Sequence, residues 1–161
     1  HKYVLSAFEK GLFDKGINLV FAGKVGWNVE EFVEYIKNHE KYNSQLFFID
    51  DATDADIACL YRKSLLVAFP SYNEGFGLPI IEAFGREALV VASDIPVLRE
   101  TGGQCCKYFS LEREQEFNDL VELYAENEEV YTSDKQRISE FRNNTWDMCA
   151  QEMYDTLQSK V

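Results

Sequence analysis

The stretch "SLLVAFPSYNEGFGLPIIEAFGREALVVAS" runs from Ser64 to Ser93 and reads as strand, loop, helix, strand. "SLLVAFPS" and "ALVVAS" are apolar almost without interruption, the signature of strands buried on both faces. Between them "LPIIEAFGRE" carries Pro79 in the first turn of a helix. Strands joined by such a helix make a right-handed crossover and lie parallel.

Working outward, the alternation repeats. "INLVFAG" (Ile17 to Gly23) is a strand ended by glycine. "VEEFVEYIKNHE" sets Val29, Phe32, Val33 and Ile36 on one helical face. "QLFFI" (Gln45 to Ile49) is a second strand, and "DADIACLYRK" a helix with Asp54 as its cap. After Ser93 come a short helix, "PVLRE", and a weaker strand, "QCCKYFS". A helical segment, "YVLSAFEKGLF", precedes all of this, and three helical stretches without a strand follow Leu111. The pattern predicts an α/β fold, a Rossmann-like doubly wound parallel sheet of about five or six strands, in one domain over residues 1–161.

Composition narrows the function. A chain of 161 residues with 46% hydrophobic and 27% charged residues buries a core without a disulfide or metal staple. No apolar run approaches the length of a membrane span. The formal charge of −12 argues against nucleic-acid binding, which needs clustered Lys and Arg. Cys59, Cys105, Cys106 and Cys149 lack metal-ligand spacing and are expected as reduced structural thiols. His1 and His39 are the only histidines and sit in no nucleophile–base pattern. Asp50, Asp51, Asp54 and Asp56 read as a polar loop and a helix cap, so no metal is expected.

In an open parallel sheet, ligands bind beyond the carboxyl ends of the strands. Pro70 to Gly77 is such a loop. Gly75 and Gly77 remove side chains, so a ligand can lie against backbone N–H groups, and the following helix N-terminus favours an anion. Glu82, one turn into that helix, leans back toward the loop. Glu74 precedes the turn. Two carboxylates around a phosphate cradle suit a polyhydroxylated ligand, since each accepts hydrogen bonds from hydroxyl groups.

"PSYNEGFGLPIIEAFG" followed by "VVASDIPVLRE" resembles the donor-binding half of retaining GT-B glycosyltransferases, family 4, whose signature is two glutamates separated by seven residues. "LVFAGKVGW", "LFFIDDATDADIACLYRKSLLVAFPS" and the late "TWDMCAQEMYDTL" extend the resemblance over nearly the whole chain. It implies a catalytic role for Glu74, against the transferred sugar. Gly75, Phe76, Gly77, Leu78 and Pro79 would face the sugar and diphosphate, and Glu82 would hold the ribose hydroxyls. Phe48, Ile49 and the "DDATD" loop would lie near the base, and Lys24 near a phosphate. The implied donor is a nucleotide-diphosphate sugar, GDP-mannose ahead of UDP-sugars, with no further cofactor.

The same resemblance implies a cytoplasmic enzyme of polysaccharide biosynthesis. Its acceptor, a glycan or lipid-linked sugar, would be held by an N-terminal domain absent from this chain, which would also carry any membrane association. The family's supporting Arg and Lys fall upstream of His1. This sequence also has Glu87 and Leu89 where the family favours Gly and Pro, so the turn after the Glu82 helix is expected to differ.

Three other readings are weaker. A phosphorelay receiver would place its acidic pair after the first strand and an Asp after the third, where this chain has Pro70-Ser71. A non-catalytic nucleotide-sugar module would keep Glu82 but has no need of Glu74. A phosphorylase or epimerase on the same scaffold is less typical of this glutamate pair.

Overall fold

A computed structural model describes residues 1–141 and 146–159; Thr145 and the side chains of Trp146 and Cys149 lie outside the described set. Along the chain run α1 (Lys2–Ala7), a π-helical turn (Phe8–Leu12), β1 (Leu19–Ala22), α2 (Glu30–Asn38), β2 (Leu46–Ile49) and α3 (Asp54–Lys63). There follow β3 (Val67–Phe69), α4 (Leu78–Phe84), β4 (Val90–Ser93), α5 (Pro96–Gly102), β5 (Cys106–Phe109), α6 (Glu114–Glu126), α7 (Glu128–Ser139) and α8 (Trp146–Gln158). The α/β class and the parallel strands are as the sequence predicts.

The strands do not form one continuous sheet. β1 pairs with β2 from Leu19↔Leu46 to Ala22↔Ile49. β3, β4 and β5 form a separate ladder in that order, with β4 central. A cavity of about 530 Å³ lies between β1 and β3, lined by both strands, Val4 and Phe8 on one side, and Leu60 and Tyr61 of α3. β3 therefore corrects the expectation of a strand buried on both faces: its three residues are only half-buried, whereas all four of β4 are buried. The missing neighbour on the β1 side accounts for the difference.

The helical layers follow from apolar spacing. Phe117, Val121 and Tyr124 recur at three- and four-residue steps and bury one face of α6. α3 starts at a capping box in which the Thr53 side chain accepts from the Asp56 N–H and Asp56 accepts from the Thr53 N–H. Thr53, not Asp54, is thus the cap. Glu87 answers the question of the turn after α4: its φ of 57° is the left-handed conformation that suits glycine. Glu87 adopts it with an L side chain, at a cost of roughly 1–2 kcal/mol.

The start of α1 locates the carboxyl ends of the strands. The His1 ring lies 5.6 Å from that of Phe21 in β1, and the Tyr3 hydroxyl donates to the Ser110 carbonyl just past β5 at 3.2 Å. Burial pushes the Tyr3 phenol up to about 12, with Glu114, Glu116 and Tyr72, just past β3, adding to it. β1, β3 and β5 therefore end on one edge, and β2 and β4, parallel to their neighbours, end there too.

Behind the sheet, Asp134 is 7% exposed. It accepts from Tyr124 at 2.9 Å and pairs with Lys107 at 3.0 Å and Arg137 at 2.7 Å, tying α7 to β5 and α6. Cys59, Cys105 and Cys106 are free thiols, and burial pushes Cys106 up to about 12.

Candidate functional site

The loop from Pro70 to Gly77 leaves β3 at the carboxyl edge and enters α4. Gly77 is the N-cap of α4 with φ 87°, a left-handed position. It is buried, and a Cβ there would meet Leu98 Cδ2 of α5 at 2.7 Å. The packing of α5 alone therefore requires Gly77 to lack a side chain. Gly75 differs: a Cβ there would meet nothing within 4 Å, so that side of the loop is open.

The backbone of this loop is held by hydroxyls. Ser93, 1% exposed at the end of β4, donates to the Ser71 carbonyl, with the Phe69 carbonyl 3.4 Å away. Thr101 of α5 donates to the Phe76 carbonyl. The carbonyls of Ser71 and Phe76 are thus anchored, while the N–H groups that follow are not. Those of Gly75, Phe76, Gly77 and Leu78 find no acceptor among the described residues, and Ile80 is the first to bond back, to Gly77 at 3.0 Å. Consecutive free N–H groups are what an anion-binding concavity is built from. α4 has only seven residues, so these N–H groups, more than a long helix dipole, supply the positive field.

The two glutamates flank this row. Glu74 is half-buried and accepts from the Ser71 hydroxyl at 2.6 Å. Glu82 is exposed, and its carboxylate has no hydrogen-bond or ion-pair partner among the described residues. It faces Tyr61, whose phenol is pushed up by burial first and by Glu82 second. Leu78 and Phe76 are 61% and 57% exposed, so apolar side chains flank this row. Pro79, half-buried, sets the first turn of α4 and contributes no donor.

The remaining candidates share the edge, and among the described residues no hydrogen bond or ion pair joins their side chains to the loop. Lys24 lies in the exposed segment after β1, its ammonium unpaired among the described residues. Phe48 and Ile49 end β2 half-buried, with Lys37 Nζ 5.9 Å from the Phe48 ring. Trp27, in the segment that holds Lys24, is 94% exposed. Arg99 is not a free cation: Asp94 binds it through two hydrogen bonds, one of them 2.7 Å. That ion pair holds the Asp94 carboxyl below the usual range.

His39 is occupied elsewhere, with Nε2 3.1 Å from Glu9 and Nδ1 accepting from the Lys41 N–H. Sequence reasoning missed Ser71, Ser93 and Thr101 as parts of the site. The quoted Pro-Ser and Ser-Asp-Ile-Pro segments contained the serines, but nothing local shows which carbonyl a hydroxyl will reach.

Residues 1–140 match the family described as Glycosyl transferases group 1. The chain is 38% identical over 133 residues, 79% of its length, to the serotype-specific mannosyltransferase WbdA of Escherichia coli, of which it covers 16%. It is 31% identical over 74 residues to the O-antigen chain mannosyltransferase RfbU of Salmonella typhimurium, covering 46% of this chain and 21% of that one. The O-antigen biosynthesis glycosyltransferase WclY of Escherichia coli is 29% identical over 119 residues, 74% of this chain and 28% of the relative. The chain thus spans about a sixth to about a quarter of the length of these relatives.

Proposed function

Since the chain belongs to the glycosyl transferases group 1 family, we propose that it is the donor-binding domain of a retaining, family 4-like hexosyltransferase of polysaccharide biosynthesis. The observation that carries this reading is the row of unpaired N–H groups from Gly75 to Leu78 between two carboxylates. The row takes the diphosphate of a nucleotide-sugar. Glu82 accepts from the ribose hydroxyls and Glu74 from the transferred sugar. As the sugar–phosphate bond breaks, charge grows on the leaving diphosphate, and preorganised donors stabilise it without reorganising. Lys24 adds positive charge, and Phe48 and Ile49 lie toward the base.

GDP-mannose is the favoured donor, supported by the mannosyltransferase names of the relatives. The acceptor, a glycan or lipid-linked sugar, binds an N-terminal domain outside this chain, and the reaction takes place in the cytoplasm. With no acceptor positioned opposite the donor, the chain alone binds without transferring.

Calorimetry with GDP and GDP-mannose tests the division of labour. Dissociation constants in the high micromolar to millimolar range are expected, about −4 to −6 kcal/mol. Glu82→Ala weakens both ligands by about 1–3 kcal/mol through lost ribose hydrogen bonds. Glu74→Ala removes the advantage of GDP-mannose over GDP. Equal losses of GDP affinity in the two variants would refute the assignment.

A further inference from the structure

Glu74 is a long, flexible side chain on an exposed loop, and its contact to sugar needs one of its rotamers. We propose that Ser71 is the positioning residue that selects it, by holding Oε1 of Glu74 and so presenting Oε2 to a sugar hydroxyl. This inference rests on the reading of Glu74 as the sugar contact.

Three observations support it. The Ser71 hydroxyl donates to Glu74 Oε1 at 2.6 Å, the length of a charge-assisted O–H···O⁻ bond. Oε2 has no partner among the described residues. Ser71 is itself fixed, because the buried Ser93 hydroxyl donates to the Ser71 carbonyl, and Ser93 ends the central strand, whose four residues are all buried. A rigid strand end therefore holds a serine, and the serine holds the carboxylate. A free glutamate must give up rotamer entropy when it meets a ligand; here the loss is already taken on folding. A serine has one proton to donate, so Ser71 fixes one oxygen and one only.

The test uses this chain with GDP and GDP-mannose as probes and reads the ratio of their dissociation constants, since GDP lacks the sugar that Glu74 meets. Ser71→Ala is expected to reduce the preference for GDP-mannose about fivefold to tenfold, and Ser71→Thr, which keeps the hydroxyl, to restore it. Equal weakening of both probes by Ser71→Ala would show that the serine only holds the loop, and would overturn the proposal. Three-bond couplings of the Glu74 side chain, measured without ligand, give a second readout. A single rotamer in the wild type that becomes averaged in Ser71→Ala is expected; averaging already in the wild type would overturn the proposal. A wild type without preference for GDP-mannose refutes the role of Glu74 in sugar binding, and the couplings still decide whether Ser71 positions it.

Discussion

Gly77 meets two demands at once, a φ of 87° and a contact that leaves no room for a Cβ beside Leu98. Gly75, two residues earlier, meets neither. The sequence makes the two glycines look equivalent because both flank Phe76, and only the packing of α5 on the loop separates them. Gly77→Ala is therefore expected to destabilise the chain by about 1–3 kcal/mol, read from its urea midpoint, whereas Gly75→Ala shifts that midpoint little. Equal shifts would mean that the loop does not rest on α5. Glu87 shows another local demand, since its backbone takes the left-handed conformation with glutamate in it.

Among the elements, helices and strands were legible because their apolar periodicity is local, while contacts between elements were not. "SLLVAFPS" is apolar throughout, yet β3 is half-buried because its free edge lines the cavity facing β1. No period in the sequence encodes which edge lacks a neighbour. Nor does anything near Asp134 announce Lys107, far away in β5, as its partner.

That network carries a pH dependence. Burial opposes the Asp134 charge, but the hydrogen bonds from Lys107 and Tyr124 and the charge of Arg137 prevail and hold its carboxyl below the usual range. A carboxyl lowered on folding contributes stability above its unfolded value, near 3.9, and loses it as pH falls through the folded value. Asp134→Asn is thus expected to cost about 2 kcal/mol at pH 7, with the gap to wild type closing below about pH 4. Urea midpoints at several pH values check this, and a gap that stays constant into acid would contradict it.

At the scale of the molecule, strand direction does most for function. It brings Lys24, the end of β2 and the Pro70–Glu82 unit to one edge, as the alternation of strands and helices predicts, and the loop there leaves a row of N–H groups without acceptors among the described residues. The net charge of −12 works against an anionic ligand at long range, so affinity must come from local geometry at this row. The direct measurement is a titration of the isotopically labelled chain, following amide protons by NMR with GDP and, separately, with guanosine. With GDP, the amide protons of Gly75, Phe76, Gly77 and Leu78 are expected to move downfield together, with one dissociation constant, as they gain phosphate acceptors; guanosine, which lacks the diphosphate, should not produce that shift. Alike responses to GDP and guanosine at these four amides, or GDP shifts confined to another surface, would contradict the account.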